Sequence, residues 1–309
     1  MLAIIIPYYK IKFFEETLKS LANQSDKRFK VYIGDDASPE DPVTILEKYK
    51  GQVDFEYHRF GDNLGSYSLT QQWERCIALS KDEQWLMILG DDDVLGKEVI
   101  SEWYRNFNLF KNKTNVVRFS TIIVNHESQF LTSFYHHPEW ENVTDFYFRK
   151  IRGITRSSLS EYFFSRKSFL KYKFRDYPVA WHSDDAAWFD FSEGKSIYTI
   201  NNELVYIRVS DVSISGQQNN LKEKSEATFK FYHYLLTSKV GLFSKFQKEE
   251  LFKRISKSYL NDKKNIKYFF KISIICFKNN DFKQYCNFIL SVLYSLKISL
   301  NTLKNKRIF

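Results

Sequence analysis

The sequence of 309 residues has few cysteines, glycines and prolines and no long apolar run. Its three cysteines, Cys76, Cys276 and Cys286, form no CxxC pair and lack zinc-ligand spacing, so we expect neither disulfides nor a structural metal site. Ten glycines and five prolines are too few for a collagen-like or low-complexity chain. No segment reaches the roughly 18 uncharged apolar residues of a membrane span. These absences predict a globular protein of the reducing cytoplasm.

Two glycine-rich phosphate-binding motifs are also missing. No GxGxxG follows the first apolar run, and no GxxxxGK[ST] occurs anywhere. Such motifs present backbone N–H groups to phosphate at the start of a helix. The dinucleotide-binding and P-loop classes are therefore disfavoured, and another kind of group must bind any phosphate ligand.

The charge that is present is unevenly distributed. The formal net charge of +9 suggests an anionic partner. Nucleic acid, an acidic membrane surface and a phosphorylated substrate are the three possibilities. Residues 221–309 carry 19 Lys and Arg against 6 Asp and Glu, net +13, whereas residues 1–220 carry 27 against 31, net −4. This asymmetry predicts a domain over 1–220 and a basic region over 221–309.

Apolar runs and helical spacing alternate through the first ninety residues, which predicts an α/β fold with a parallel sheet between helices. Two predicted strands end in acidic clusters, at Asp35-Asp36 and at Asp91-Asp92-Asp93. Ligands bind at the carboxyl ends of strands in such folds. The predicted strands are 2–7, 29–33, 53–58 and 85–89, and the predicted helices are 13–22, 43–49 and 67–79.

Beyond residue 110 the pattern is mixed. Strands are expected at 115–124, 196–200 and 204–209, and helices at 165–172 and 184–191. The basic region alternates Lys with Phe, Leu, Ile and Tyr at helical spacing, for example over 268–277 and 288–300. Amphipathic basic helices favour an interfacial role at an anionic membrane, although a solvated helical face is the alternative.

The acidic triplet 91–93 is the sharpest local signal. Three adjacent carboxylates repel one another unless a cation lies among them, and Mg²⁺ or Mn²⁺ takes carboxylate oxygens while leaving positions for substrate phosphates. The alternative is a solvated turn in which an Asp caps the next helix. Asp36 has two interpretations as well, a hydrogen-bond acceptor for a nucleobase N–H or a cap on the helix at 42–49.

Four segments in order, IIIPYY (4–9), TLKSLANQ (17–24), VYIGDDAS (31–38) and LGDDD (89–93), resemble the family two glycosyltransferases. WHSDDAAW (181–188) and VYIRVSDVSIS (205–215) extend the resemblance to about residues 1–215. It implies a GT-A fold, a Rossmann-like mixed sheet flanked by helices, followed by the basic helical region. It also implies a nucleotide-binding half over about 1–110 and an acceptor half over about 111–220.

The resemblance assigns roles to the donor-binding residues. Pro7 and Tyr9 would line the nucleoside pocket, and Asp36 would accept a hydrogen bond from the uracil ring. The acidic triplet takes the place of the family's DxD element. Asp92 would be the principal ligand of Mn²⁺ or Mg²⁺, with Asp91 near the ribose or the metal and Asp93 near the donor sugar or the metal.

Asp184-Asp185 takes the place of the family's acidic pair, and Asp185 matches the usual catalytic base. Mutual repulsion should raise the pKa of one member, which suits a base. Where many relatives carry a late histidine as a metal ligand, this chain has Ser210, so Asp211, His182 or water would complete the metal shell. The family's arginine before the acidic motif is not obvious, and Arg75 is expected to pair with Glu74 on a solvated face.

These features predict a metal-dependent, inverting glycosyltransferase that uses a UDP-sugar and a saccharide acceptor. The acceptor is expected to be linked to polyprenyl diphosphate in bacterial capsule, O-antigen or exopolysaccharide synthesis, with the enzyme held peripherally at the inner face of the cell membrane. One alternative is a nucleotidyltransferase of related fold. Another is a non-enzymatic nucleic-acid-binding protein acting through the basic region, but the interleaved apolar residues argue against a nucleic-acid partner.

Overall fold

A computed structural model describes residues 1–210, 220–261, 265–279 and 281–305, with 298–305 described by their backbone. The chain divides into two units, Met1–Asn219 and Asn220–Phe309. The first unit contains the sheet, and the described part of the second is helical.

The strands of the first unit form one mixed sheet. Over the described residues its order is β3-β2-β1-β4-β8-β6-β9-β5, and β7 also pairs with β9. Strands β1 to β4 are parallel, whereas β8 is antiparallel to both β4 and β6. The strands are β1 (Leu2–Tyr8), β2 (Phe29–Asp35), β3 (Phe55–Arg59), β4 (Trp85–Ile88), β5 (Val94–Leu95), β6 (Val116–Val124), β7 (Trp140–Glu141), β8 (Tyr162–Ser165) and β9 (Ile197–Arg208).

Helices connect these strands and cover the sheet. Strand β1 lies in the core because its apolar residues pack on both faces, and Leu2, Ile4 and Ile6 are fully buried. Each such side chain contributes about 1.5–3 kcal/mol through burial. The mixed sheet flanked by helices confirms the predicted fold class. The helices of this unit are α1 (Phe14–Ala22), α2 (Val43–Tyr49), α3 (Leu69–Ile77), α4 (Val99–Phe110), α5 (Val143–Ile151), α6 (Arg166–Tyr172) and α7 (Ser183–Phe191).

Strand β9 differs from the prediction of two short strands. It is continuous over Ile197–Arg208, and its register against β6 shifts between Phe119 and Ser120. Ile200 faces Phe119 and Leu204 faces Ser120, so the three polar residues 201–203 form the irregularity. A bulge keeps the strand in the sheet where its polar residues interrupt the apolar pattern.

The second unit contains four helices over its described residues, α8 (Leu221–Ser238), α9 (Lys245–Asn261), α10 (Ile266–Lys278) and α11 (Phe282–Asn305). Helix α10 buries Tyr268, Ile272 and Ile275 but leaves Phe270 and Ile274 exposed. Among the described helices, none is both long enough and apolar enough to span a bilayer.

Candidate active site

The carboxyl ends of β1, β2 and β4 bring the predicted donor-binding residues together at one edge of the sheet. Asp91 lies two residues after Leu89 and accepts hydrogen bonds at Oδ2 from the backbone N–H groups of Tyr9 and Lys10, both at 2.8 Å. Tyr9 also accepts a hydrogen bond at its carbonyl oxygen from Ser38, at 2.6 Å. Of the two predicted nucleoside contacts, Pro7 lies in β1 and Tyr9 follows it, so the end of β1 is tied to the acidic triplet through Tyr9.

Asp93 is held by the end of β9 and by α1. Its Oδ1 accepts the backbone N–H of Arg208 at 2.8 Å, and Thr17 donates to its carbonyl oxygen at 2.8 Å. The Arg208 side chain donates through Nε to the carbonyl of Asp92 at 3.0 Å. Ser160 accepts the N–H of Gly90 at 2.9 Å. Asp91 and Asp93 therefore shape the triplet by binding protein N–H groups.

Asp92 differs from its neighbours. No donor from the described residues forms a hydrogen bond or ion pair with its half-buried carboxylate. Burial, followed by the charges of Asp93 and Asp91, raises the pKa of Asp92 to about 8. A nearby cation would stabilise the ionised form of a carboxyl group whose pKa is raised in this way.

The donor chemistry of the triplet determines whether a divalent metal ion could bind there. Across the described residues, no group of three or more His, Cys, Asp or Glu side chains is arranged to hold a metal ion. Mg²⁺, however, typically binds one or two carboxylates together with substrate phosphates and waters. Asp92 fits that type of site, because the adjacent carboxylates of Asp91 and Asp93 add negative potential that attracts a cation.

Asp36 lies at the end of β2, and its carboxylate is almost filled by donors. Oδ1 accepts the N–H of Leu64 at 2.9 Å and the Arg75 guanidinium, and Oδ2 accepts the N–H of Gly65 at 2.9 Å. A Cβ on Gly65 would lie 2.5 Å from that oxygen, so this approach requires glycine. A carboxylate offers about four acceptor positions, which leaves one for a nucleobase N–H.

These contacts correct two alternatives drawn from the sequence. Asp36 does not cap α2, whose N-terminus at Pro42 has no side-chain cap. Arg75 does not pair with Glu74 on a solvated face. Its Nη1 donates to Asp62 at 2.8 Å, its guanidinium lies 4.0 Å from the centre of the Phe60 ring, and its side chain is 19% exposed. Arg75 is thus part of the wall beside Asp36.

The predicted acidic pair lies at the start of α7, after a strained loop. Val179, Ala180 and His182 all have positive φ angles, of 50°, 53° and 67°. Each such non-glycine residue costs on the order of 1–3 kcal/mol, and strain of this kind concentrates at functional sites. The left-handed turn at His182 allows its Nδ1 to meet Asp185 Oδ2 at 2.8 Å.

The two members of the pair have different environments. Asp185 forms an ion pair with Lys150 of α5, a residue that the sequence did not single out. Burial by itself would raise the pKa of Asp185, but Lys150 and His182 hold that pKa well below its usual range. Burial and Asp185 raise the pKa of Asp184, which is half-buried. Repulsion therefore raises the pKa of Asp184 and not that of the predicted base.

Two predicted substitutes for the missing histidine ligand have different outcomes. His182 uses Nδ1 on Asp185. Asp211 lies outside the described residues, as does the end of the motif that contains it. Ser210 is buried just beyond β9, two residues after the Arg208 that contacts the triplet.

This ordered set of residues corresponds to a known protein family. The model of the family described as "Glycosyl transferase family 2" matches residues 3–175, more than half of the chain. The chain belongs to glycosyltransferase family 2. No curated protein matches it. The predicted family is therefore confirmed, and with it glycosyltransferase activity.

Solved structures show the same fold at low sequence identity. S. aureus TarS 1–349 in complex with UDP-GlcNAc aligns with a TM-score of 0.64 and 15% identity, over 84% of this chain and 72% of that chain. S. aureus TarS aligns with a TM-score of 0.59 and 14% identity, over 84% of this chain and 43% of that chain. The likeness establishes that this family 2 chain has the GT-A fold.

Proposed function

We propose that this glycosyltransferase transfers a sugar from a UDP-sugar to a hydroxyl group of a saccharide acceptor, with inversion at the anomeric carbon. The observation that carries the proposal is that Asp36, after β2, and the acidic triplet 91–93, after β4, lie at the same edge of the sheet. The backbone N–H of Tyr9, at the end of β1 between them, donates to Asp91. TarS, whose fold the chain shares, has been solved with UDP-GlcNAc.

Each donor residue has a role in this proposal. Asp36 accepts the uracil N–H at its remaining acceptor position, Pro7 and Tyr9 border the nucleoside, and Asp91 and Asp93 hold the loops that face the ribose and the donor sugar. Asp92 would be the principal ligand of Mn²⁺ or Mg²⁺. Such an ion supplies positive charge that neutralises the diphosphate leaving group.

A nucleotide-sugar panel tests the donor class. The protein is mixed with UDP-, GDP-, dTDP- and CMP-sugars in the presence of Mn²⁺, and binding is scored by thermal shift and turnover by released nucleotide. We expect stabilisation and UDP release with a UDP-sugar. In a parallel reaction with UTP and a sugar 1-phosphate, release of pyrophosphate, together with no UDP release from any UDP-sugar, would instead support a nucleotidyltransferase.

Replacing Arg75 with methionine should raise the Kd for UDP about 10-fold to 100-fold. The substitution removes the charged donor on Asp36 and the stacking on Phe60, and hydrogen bonds to charged groups contribute about 1.5–3 kcal/mol. Isothermal titration with UDP measures the effect. Arg105→Met, at an exposed guanidinium on α4, is the matched control. An unchanged Kd in Arg75→Met would contradict this role.

We further propose that the acceptor is linked to polyprenyl diphosphate, in capsule, O-antigen or exopolysaccharide synthesis. The second unit would hold the enzyme peripherally on the inner, anionic face of the cell membrane. Supporting this, Phe270 and Ile274 are 58% and 52% exposed on α10, beside exposed Lys267 and Lys271. Apolar side chains flanked by lysines are typical of helices that lie in a lipid interface.

Vesicle flotation tests the membrane proposal. The protein should float with phosphatidylglycerol vesicles, float less with phosphatidylcholine vesicles, and detach as salt rises, because lysines near an anionic surface each contribute about 1 kcal/mol. Phe270→Ser with Ile274→Ser should reduce flotation without changing UDP binding. Tight oligonucleotide binding without flotation would instead favour a nucleic-acid partner.

A further inference from the structure

Resting on the proposed function, we infer that Arg156 is a further binding residue of the active site, and that its guanidinium takes a phosphate group of a substrate. Arg156 lies in the segment between α5 and β8, a residue that the sequence did not single out. The phosphate belongs either to the nucleotide-sugar donor or to the diphosphate that links the acceptor to its lipid. Both sources present the same chemistry, and binding measurements separate them.

Contacts place Arg156 beside the acidic triplet. Its Nη1 lies 3.3 Å from Glu161 Oε2, immediately before β8. The neighbouring Ser160 accepts the backbone N–H of Gly90, which directly precedes the triplet, at 2.9 Å. Because β8 is antiparallel to β4, the start of β8 adjoins the carboxyl end of β4. The Arg156 charge also acts on the Asp93 carboxylate. Arg156 therefore lies at the edge of the sheet that carries the candidate metal ligands.

The backbone around Arg156 is held in place. Glu161 is fully buried, and its Oε2 accepts both the backbone N–H and the hydroxyl of Ser158 at 3.1 Å. These bonds fix the short turn at Leu159–Glu161, and the contact with Glu161 anchors the Arg156 side chain to that turn. A guanidinium held in this way loses little conformational freedom when it binds a ligand.

Most donors of the Arg156 guanidinium are not used by the protein. In the part of the chain that the structure describes, only Nη1 contacts protein oxygens, at 3.3 Å from Glu161 and 3.5 Å from Thr121 Oγ1. Both distances exceed the roughly 2.7–2.9 Å of a charge-assisted hydrogen bond. The N–H groups on Nε and Nη2 meet no acceptor among these residues, although the side chain is only 19% exposed. A planar guanidinium with adjacent unused donors matches two oxygens of a phosphate.

Arg166, at the other end of β8, shows what a purely structural arginine looks like in this chain. It is 17% exposed and also lies 3.3 Å from a buried carboxylate, that of Glu83. Its Nε donates to the carbonyl oxygen of Glu83, and its Nη2 donates to Ser80 at 2.8 Å. Its backbone N–H donates to Gln84, just before β4 begins. Arg156 is buried to a similar degree, but it lies at the opposite edge of the sheet and keeps donors for a ligand.

Titrations with UDP and with uridine distinguish a phosphate-binding role from a structural one. In isothermal titration with Mg²⁺ present, Arg156→Met should raise the Kd for UDP about 10-fold to 100-fold, because hydrogen bonds to a charged group are lost. The Kd for uridine, which has no phosphate, should stay within about twofold of the wild-type value, since those bonds do not exist in its complex. Arg156→Lys should give an intermediate Kd for UDP, because an ammonium keeps the charge and loses the forked geometry.

Geranyl diphosphate tests the acceptor as the source of the phosphate. The chain saturated with UDP is titrated with geranyl diphosphate and with geraniol, which are a short polyprenyl chain with and without the diphosphate. If the phosphate belongs to the acceptor, Arg156→Met should bind UDP normally and geranyl diphosphate about 10-fold to 100-fold more weakly. Weakened UDP binding would instead assign the phosphate to the donor, and either result supports the inference.

Two further variants control for stability. Arg166→Met removes an arginine of matched burial at the other edge of the sheet and should leave both Kd values unchanged. Arg156→Met with Glu161→Gln leaves no unpaired buried carboxylate, so it should fold and show the same rise in Kd as Arg156→Met.

The inference is overturned if folded Arg156→Met keeps the wild-type Kd for both UDP and geranyl diphosphate, or if its uridine binding weakens as much as its UDP binding. Should Arg156→Met not fold in a thermal melt, the double variant decides by the same criteria. A wild-type chain that neither binds UDP nor releases it from a UDP-sugar would count against the proposed function. The geranyl diphosphate titration would then decide the role of Arg156 by itself.

Discussion

Replacing Asp92 with asparagine should lower sugar transfer about 10²-fold to 10³-fold, the loss that follows removal of one group stabilising developing charge. The fold should survive, because the Asp92 carboxylate accepts no hydrogen bond from the described residues. Asp91 and Asp93, by contrast, bind the N–H groups of Tyr9 and Arg208. UDP release measures the activity, and Asp82→Asn, at an exposed position, is the control. Turnover near the wild-type rate would exclude Asp92 from the donor site.

The same substitution should change the pH dependence of stability. Asp92 has a pKa of about 8 in the folded, metal-free chain, against about 4 in an unfolded chain. Because the pKa of Asp92 is higher in the folded chain, protonated Asp92 stabilises the fold at pH values below its unfolded-state pKa. This stabilisation is lost as the pH rises towards 8. In EDTA, the Tm of the wild type should therefore fall relative to that of Asp92→Asn between pH 4 and 8. Parallel Tm profiles for the two proteins would contradict this.

Replacing Arg118 with methionine should reduce the free energy of unfolding by about 3–5 kcal/mol, the usual cost of breaking a buried ion pair from one side. Arg118 is fully buried on β6, pairs with Glu141 at 2.9 Å, donates to Thr199 and lies 4.6 Å from the centre of the Phe146 ring. Its loss leaves Glu141 in the core with Arg149 as the remaining partner.

Urea unfolding measures the Arg118 effect. Adding Glu141→Gln to Arg118→Met should recover part of the loss, because a neutral amide is less costly to bury than an unpaired carboxylate. Lys50→Met, in an exposed pair with Glu47, should leave the free energy of unfolding nearly unchanged. A loss below about 1 kcal/mol in Arg118→Met would contradict the cost assigned to this buried pair.

The α/β core could be predicted because its signals are local. The run Leu2–Tyr8 is apolar throughout, as a strand covered on both faces must be, and it ends where polar residues begin. The acidic strand ends could be placed together because parallel strands share one carboxyl edge. Strand β8 was missed because Tyr162–Ser165 is a short apolar run without a period that separates strand from helix.

The parts of the site that were missed depend on contacts between distant residues. Lys150 meets Asp185 across 35 positions, and Arg75 meets Asp36 across 39. Neither spacing has a local pattern. The left-handed turn before α7 was also unpredictable, because Val179 is β-branched and residues of this type are rare at positive φ.

The most direct test of the central claim is ³¹P NMR of a UDP-sugar that has been incubated with the protein, Mg²⁺ and a saccharide acceptor. Transfer predicts that the two diphosphate resonances of the UDP-sugar are replaced by those of UDP, and that Asp92→Asn produces almost none. Formation of UMP with a sugar phosphate, formation of pyrophosphate, or unchanged spectra for every UDP-sugar would contradict sugar transfer from a UDP donor.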